Sequence, residues 1–87
     1  MQICKDEKSY KCGNIKTHTL DGVFTIYFSI LEYVSPRDIA ELFDNNSFFF
    51  YDEVVDSRMV ETNGKKLVGL SIKYNADSTY DITINLI

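Results

Sequence analysis

The dipeptide Asp21-Gly22 constrains this chain most. It separates two segments of alternating polarity, IKTHTL and VFTIYFSIL. An Asp-Gly link between such segments favours a two-residue type I′ turn, whose twist matches that of the flanking strands. Pairing outward from the turn sets Leu20 opposite Val23, Thr19 opposite Phe24, Thr17 opposite Ile26 and Ile15 opposite Phe28. Phe24, Ile26, Phe28 and Ile30 then share one face with Ile15, and Lys16, His18, Thr25 and Tyr27 share the other. A slip of one residue would exchange the two faces, so the pattern specifies its own register.

The segment VSPRDIAELFDNN predicts a short helix. Ser35 is placed to cap its N-terminus, and Pro36 takes the first helical position, where a missing N–H costs nothing. Asp38 stands where a capping-box acid belongs, and Val34 and Ile39 are spaced as a hydrophobic staple. Ile39, Leu42 and Phe43 form the apolar stripe, and Asn45 and Asn46 can end the helix because Asn tolerates the left-handed conformation. Its length is then roughly two to three turns.

SFFFYDEVVDSRMVET reads as a strand leading into a second I′ signal, Asn63-Gly64. That turn predicts Thr62 opposite Lys65, Glu61 opposite Lys66, Val60 opposite Leu67 and Met59 opposite Val68. After KKLVGLSIKY and the loop NADST comes a last strand, YDITINLI. Setting Tyr74 against Tyr80 brings Lys73 to Asp81, Ile72 to Ile82, Leu70 to Ile84 and Val68 to Leu86. The expected order is ββαβββ: a small α+β domain over residues 1–87, mainly antiparallel, with one short helix packed on one face. Residues 1–14 are expected as a loosely ordered or folded-back segment.

Four consecutive aromatics, Phe48, Phe49, Phe50 and Tyr51, cannot all face one side of a strand. In an unbroken strand, the Asn63-Gly64 register puts Phe49 and Tyr51 on the helix side, together with Glu53, an uncomfortable core residue. A bulge near Asp52–Glu53 would instead turn Phe48 and Phe50 inward. Either way two rings face outward. Val60 and Leu67, opposite each other, are expected beside them, and Tyr27, Leu31 and Tyr33 on the outer side of the first hairpin. One short helix cannot cover two faces. Part of the second face is expected to be covered by residues 1–14, by another copy of the chain or by another protein, since exposed apolar patches mark interaction surfaces; the alternative is that its aromatics are simply half-buried. The candidate partner-binding residues are Tyr27, Tyr33, Phe48, Phe49, Phe50, Tyr51, Val60 and Leu67, with Asp52, Glu53 and Asp56 as an acidic rim.

Chemistry-bearing patterns are scarce. His18 is the only histidine, expected on an outer surface. Adjacent acids such as Asp6-Glu7 and Asp52-Glu53 point to opposite sides of a strand and make no dyad. The glycines form no phosphate-cradling motif. Cys4 and Cys12 lack CxxC spacing, and a zinc site needs about four ligands, so no metal and no cofactor are expected. They read as reduced thiols of a cytosolic protein. No apolar run approaches the ~18 residues of a membrane helix. The formal net charge is −4. Residues 37–61 hold seven acids against Arg37 and Arg58, a net −5, which leaves +1 elsewhere. Without a basic cluster, direct nucleic-acid binding is not expected. These features point to a non-enzymatic interaction module, self-associating as a homodimer or joining a larger assembly. The alternative is a small acidic inhibitor or adaptor, of the viral or mobile-element accessory type, whose 37–61 region occupies a partner's basic site.

Overall fold

The computed structural model of this chain describes residues 1–87 except Asn46, Glu61 and Asn63. Its strands are β1 (Gln2–Lys5), β2 (Lys8–Leu20), β3 (Val23–Ile30), β4 (Phe49–Asp52), β5 (Ser57–Met59), β6 (Leu67–Tyr74) and β7 (Tyr80–Leu86), with one helix, α1 (Pro36–Leu42). They form an antiparallel sheet in the order β5-β4-β1-β2-β3-β7-β6. The architecture is α+β with one short helix, but it holds two strands more than the expected ββαβββ.

The β2–β3 hairpin turns at Asp21 (φ 51°) and Gly22 (φ 78°), both positive as a I′ turn requires. Its register matches expectation from Leu20↔Val23 to Thr17↔Ile26. It then breaks: Gly13 pairs with Ser29 and Lys16 with Tyr27, so Asn14 and Ile15 together oppose Phe28. Asn14 takes φ 56° there, a left-handed value that Asn accepts more readily than most residues. Beyond this bulge β2 continues back to Lys8 and pairs with β1. Residues 1–14 are therefore neither loose nor folded across the second face. They supply β1, in the middle of the sheet, and the first part of β2.

The helix forms as expected. Ser35 Oγ accepts from the Asp38 N–H at 3.2 Å, and Val34 and Ile39 are both buried. Its last turn carries no basic residue. Lys5, buried on β1, supplies the cation instead: its Nζ donates to the Glu41 carbonyl oxygen and to the Asp44 carboxylate. A positive charge there meets the negative end of the helix dipole.

The segment after the helix departs most from expectation. β4 and β5 form their own hairpin through residues 53–56, with Phe50↔Met59 and Asp52↔Ser57, and Asp56 at φ 51°. That turn, not a bulge, resets the alternation. Phe48 and Phe50 go into the core, and Glu53 escapes to the surface. The predicted pairing across Asn63-Gly64 does not form, because β5 and β6 lie at opposite edges of the sheet. Asn63 and Glu61 lie outside the described residues, so the Glu61–Lys66 pairing is not described. Thr62 is buried, with its hydroxyl donating to the Phe48 carbonyl oxygen at 3.4 Å.

β6 pairs with β7 as expected from Tyr74↔Tyr80 to Leu70↔Ile84. A bulge at Val68 then gives Leu67, not Val68, the place opposite Leu86.

The core gathers Ile3, Cys12, Ile26, Phe28, Ile30, Val34, Ile39, Leu42, Phe43, Phe48, Phe50, Tyr80, Ile82, Ile84 and Leu86. β3 and β4 are three places apart in the sheet, about 14 Å on a flat one. Yet the rings of Phe28 and Phe50 meet edge-on with centroids 5.0 Å apart. The sheet must be strongly coiled, and the bulge in β2 is where such twist concentrates.

Candidate interaction surface

The expected outer patch divides. Phe48 and Phe50 are removed from it by burial, at 1% and 0% exposure. Val60 and Leu67 are removed too: Val60 follows β5 and Leu67 opens β6, strands that do not pair, and each packs against the core. Phe49 and Tyr51 remain on the outward side of β4. Phe49 lies under its own cation, the Arg58 guanidinium 3.9 Å from the ring centroid. The Tyr51 hydroxyl donates to the Asp56 carboxylate. Tyr33 is exposed in the segment before α1, and Tyr27 is exposed on β3 opposite Lys16 and Thr83.

Polar pairs surround Tyr27. Thr25 Oγ1 donates to Asn85 Oδ1 at 2.9 Å, and Ser29 Oγ donates to Asp81 Oδ1 at 2.9 Å. Lys73 stands opposite Asp81. Gly69 has no side chain where the Asn85 amide lies, since a Cβ there would come within 2.6 Å of Asn85 Nδ2. This half of the sheet's outer side is polar, the usual pattern where an antiparallel sheet meets water.

The acidic segment is engaged within the chain. Asp38 and Glu41 both accept from Lys8 Nζ at 3.2 Å. Asp44 accepts from Lys5, Glu53 from the Met1 ammonium at 3.2 Å, Asp52 from the Val54 N–H at 3.0 Å and Asp56 from Tyr51. Hydrogen bonding, first to Lys8, holds the Asp38 carboxyl below its ordinary pKa, and bonding to Asp38 and then Glu41 raises that of Lys8. Lys5, Lys8, Asp38, Glu41 and Asp44 line a cleft of about 620 Å³ between the β1–β2 turn and α1, together with Tyr10. Its lysines already face carboxylates, and it contains no histidine or thiol.

The two cysteines are free and buried. Cys4 pairs with Ser9 and Cys12 with Ile30, on opposite sides of the sheet. Burial raises the pKa of both thiols, that of Cys12 to about 12. His18 is exposed opposite Thr25. Among the described residues, no group of three or more His, Cys, Asp or Glu is placed to hold a metal ion. No helix among them is long and apolar enough to cross a membrane.

A row of neighbouring apolar residues is half-exposed along β6, on the side that the pairing of Tyr74 with Tyr80 joins to Ile82 and Ile84. Leu70, Ile72 and Tyr74 share the inward side of β6, yet they are 42%, 40% and 54% exposed, and Val68 at the bulge is 50% exposed. Their partners on β7, Ile84, Ile82 and Tyr80, are buried. β6 has β7 on one side only, because it is the last strand of the sheet. The alternation LVGLSIKY had identified this apolar row. It carried no information that the row would sit at an edge.

No protein-family model, no curated protein and no solved structure matches this chain.

Proposed function

We propose that this chain is a small non-enzymatic protein-interaction module that self-associates, alone or as the repeated subunit of a larger assembly, in the cytosol. One observation carries the reading: an eight-residue edge strand whose apolar residues Leu70, Ile72 and Tyr74 are half-exposed beside an otherwise closed core. Natural sheets blunt such edges with charge, proline or very short strands. β6 has no proline, and its one charge, Lys73, stands opposite Asp81. The cost of leaving this row in water is relieved by association.

The acidic-inhibitor reading draws less support, because each described acid of residues 37–61 already accepts a hydrogen bond within the chain. Light scattering over a range of protein concentration tests the reading. A mass that rises from one chain to a multiple is the expected result. A single-chain mass at every concentration would overturn self-association.

A further inference from the structure

We infer that two copies join by antiparallel pairing of β6 with β6 about a two-fold axis through Ile72, continuing one sheet across both. This rests on the self-association reading and specifies its geometry.

The backbone hydrogen bonds decide which residues are available. Lys66 and Ile87 exchange both their N–H···O bonds, at 2.6 and 2.9 Å, and the Asn75 N–H donates to the Thr79 carbonyl oxygen at 2.9 Å. Bonded and non-bonded pairs alternate along an antiparallel ladder. Counting from Asn75 along the register, Lys73, Ser71 and Gly69 bond to β7. Leu70, Ile72 and Tyr74 therefore direct their N–H and C=O groups away from β7, out of the sheet edge. Among the described residues these backbone groups have no partner, and all three residues also carry half-exposed apolar side chains.

A second copy fits this edge because the edge is self-complementary. About Ile72, the axis pairs Ile72 with its own copy and Leu70 with Tyr74, so each outward-facing group finds a partner and apolar side chains meet apolar ones. On the other side Ser71 meets Lys73, and no like charges face each other. An isologous contact requires such symmetry.

The ends of β6 add charge complementarity. Lys65 and Lys66 precede the strand, and the turn after it carries Asp77. Antiparallel pairing sets the lysine end of each copy beside the other's Asp77 turn. The opposite edge offers no equivalent, since β5 has three residues.

Cysteine cross-linking of the full chain under a glutathione redox buffer tests the axis. Directly opposed, hydrogen-bonded residues lie ~5.5 Å apart at Cα, within reach of a disulfide. Ile72→Cys is expected to form a covalent dimer, while Ser71→Cys, whose copies lie diagonally, stays a single chain on a non-reducing gel. Buried Cys4 and Cys12 do not compete. Ile72→Lys is expected to reduce the mass of the wild-type assembly to one chain while keeping a cooperative urea transition, with a midpoint close to that of the wild type diluted until it is monomeric. Preferential cross-linking of Ser71→Cys would overturn the axis. A wild-type multimer that Ile72→Lys does not dissociate would overturn the β6 contact yet leave self-association standing, with another surface as its site. A single-chain mass for the wild type would remove both.

Discussion

The two edges of the sheet are built in opposite ways. At one edge, β5 is three residues long and is preceded by a turn pinned by Tyr51 and Asp56; Arg58 covers Phe49. Behind it Phe50 is fully buried, edge-on to Phe28 and Phe48. At the other edge, β6 is eight residues long, and its apolar side is only half covered. Both edges descend from segments rich in large apolar residues. Burial of the segment's rings closes one edge, whereas the row on the other stays half-exposed. An edge strand is a hazard where backbone and apolar side chains are exposed together: β5 offers only Met59, whereas β6 offers Leu70, Ile72 and Tyr74 in a row.

The largest expected effect breaks the closed side. Phe50→Ala removes a ring that links β4 to β3 and should destabilise the fold by ~3–5 kcal/mol in urea denaturation, the usual cost of emptying an aromatic core site. Ile72→Ala on the open side, measured under conditions where the chain is monomeric, should cost less than about 2 kcal/mol, because much of that side chain is already in water. Equal losses at the two positions would show that the edges are not differently buried.

A smaller effect distinguishes the tethers. Lys5→Met keeps an apolar stem on β1 but removes the ammonium at the C-terminal end of α1. The expected loss is about 1–2 kcal/mol, from the helix-end charge and its hydrogen bonds. Among the described residues no ion pair crosses to β6, so removing the Lys73 charge as Lys73→Met should change stability by under ~0.5 kcal/mol.

The sequence carried local pairing well and long-range order poorly, for a physical reason. The Asp21-Gly22 hairpin, the Ser35-capped helix and the β6–β7 ladder each follow from residues close along the chain. The β1–β2 hairpin was missed because its turn, Lys5-Asp6-Glu7-Lys8, lacks glycine, although Asp6 takes φ 55°. Its inward Lys5 also broke the alternation that would have revealed β1. The Asn63-Gly64 signal misled because local turn preference competes with tertiary packing. Placing Phe48 and Phe50 in the core needed a hairpin at residues 53–56, and that hairpin sends β5 to the far edge. Of the candidate surface, Tyr27, Tyr33, Phe49 and Tyr51 do face outward. Val60 and Leu67 depended on the failed pairing, and the exposure of the β6 row was not legible because alternation specifies a face but not a sheet position.

The smallest effect is a pH dependence that separates the polar tethers of the closed side from the core. Asp38 has its pKa lowered from 3.8, chiefly by its bond to Lys8. Its contribution is present above pH 3.8 and is lost as pH falls through the folded value. Lys8 has its pKa raised from 10.5, chiefly by its bond to Asp38, so its contribution is present below 10.5 and is lost as pH rises through the folded value. Both groups are exposed, so molar salt should weaken these two limbs by screening, and Lys8→Met should flatten them. Cys12 behaves differently. Burial raises its pKa from 9.0 to about 12, so stability is lost as pH climbs through that interval, when the unfolded chain ionises first. That loss comes from desolvation, so salt should leave it in place and Cys12→Ala should remove it. Equilibrium unfolding at about pH 3, 7, 10 and 11.5, with and without molar salt, measures both: pH 10 reports Cys12 while Lys8 is still charged, and pH 11.5 adds the Lys8 limb. An alkaline limb abolished by salt but untouched by Cys12→Ala would place the alkaline sensitivity in the surface tethers instead of the core.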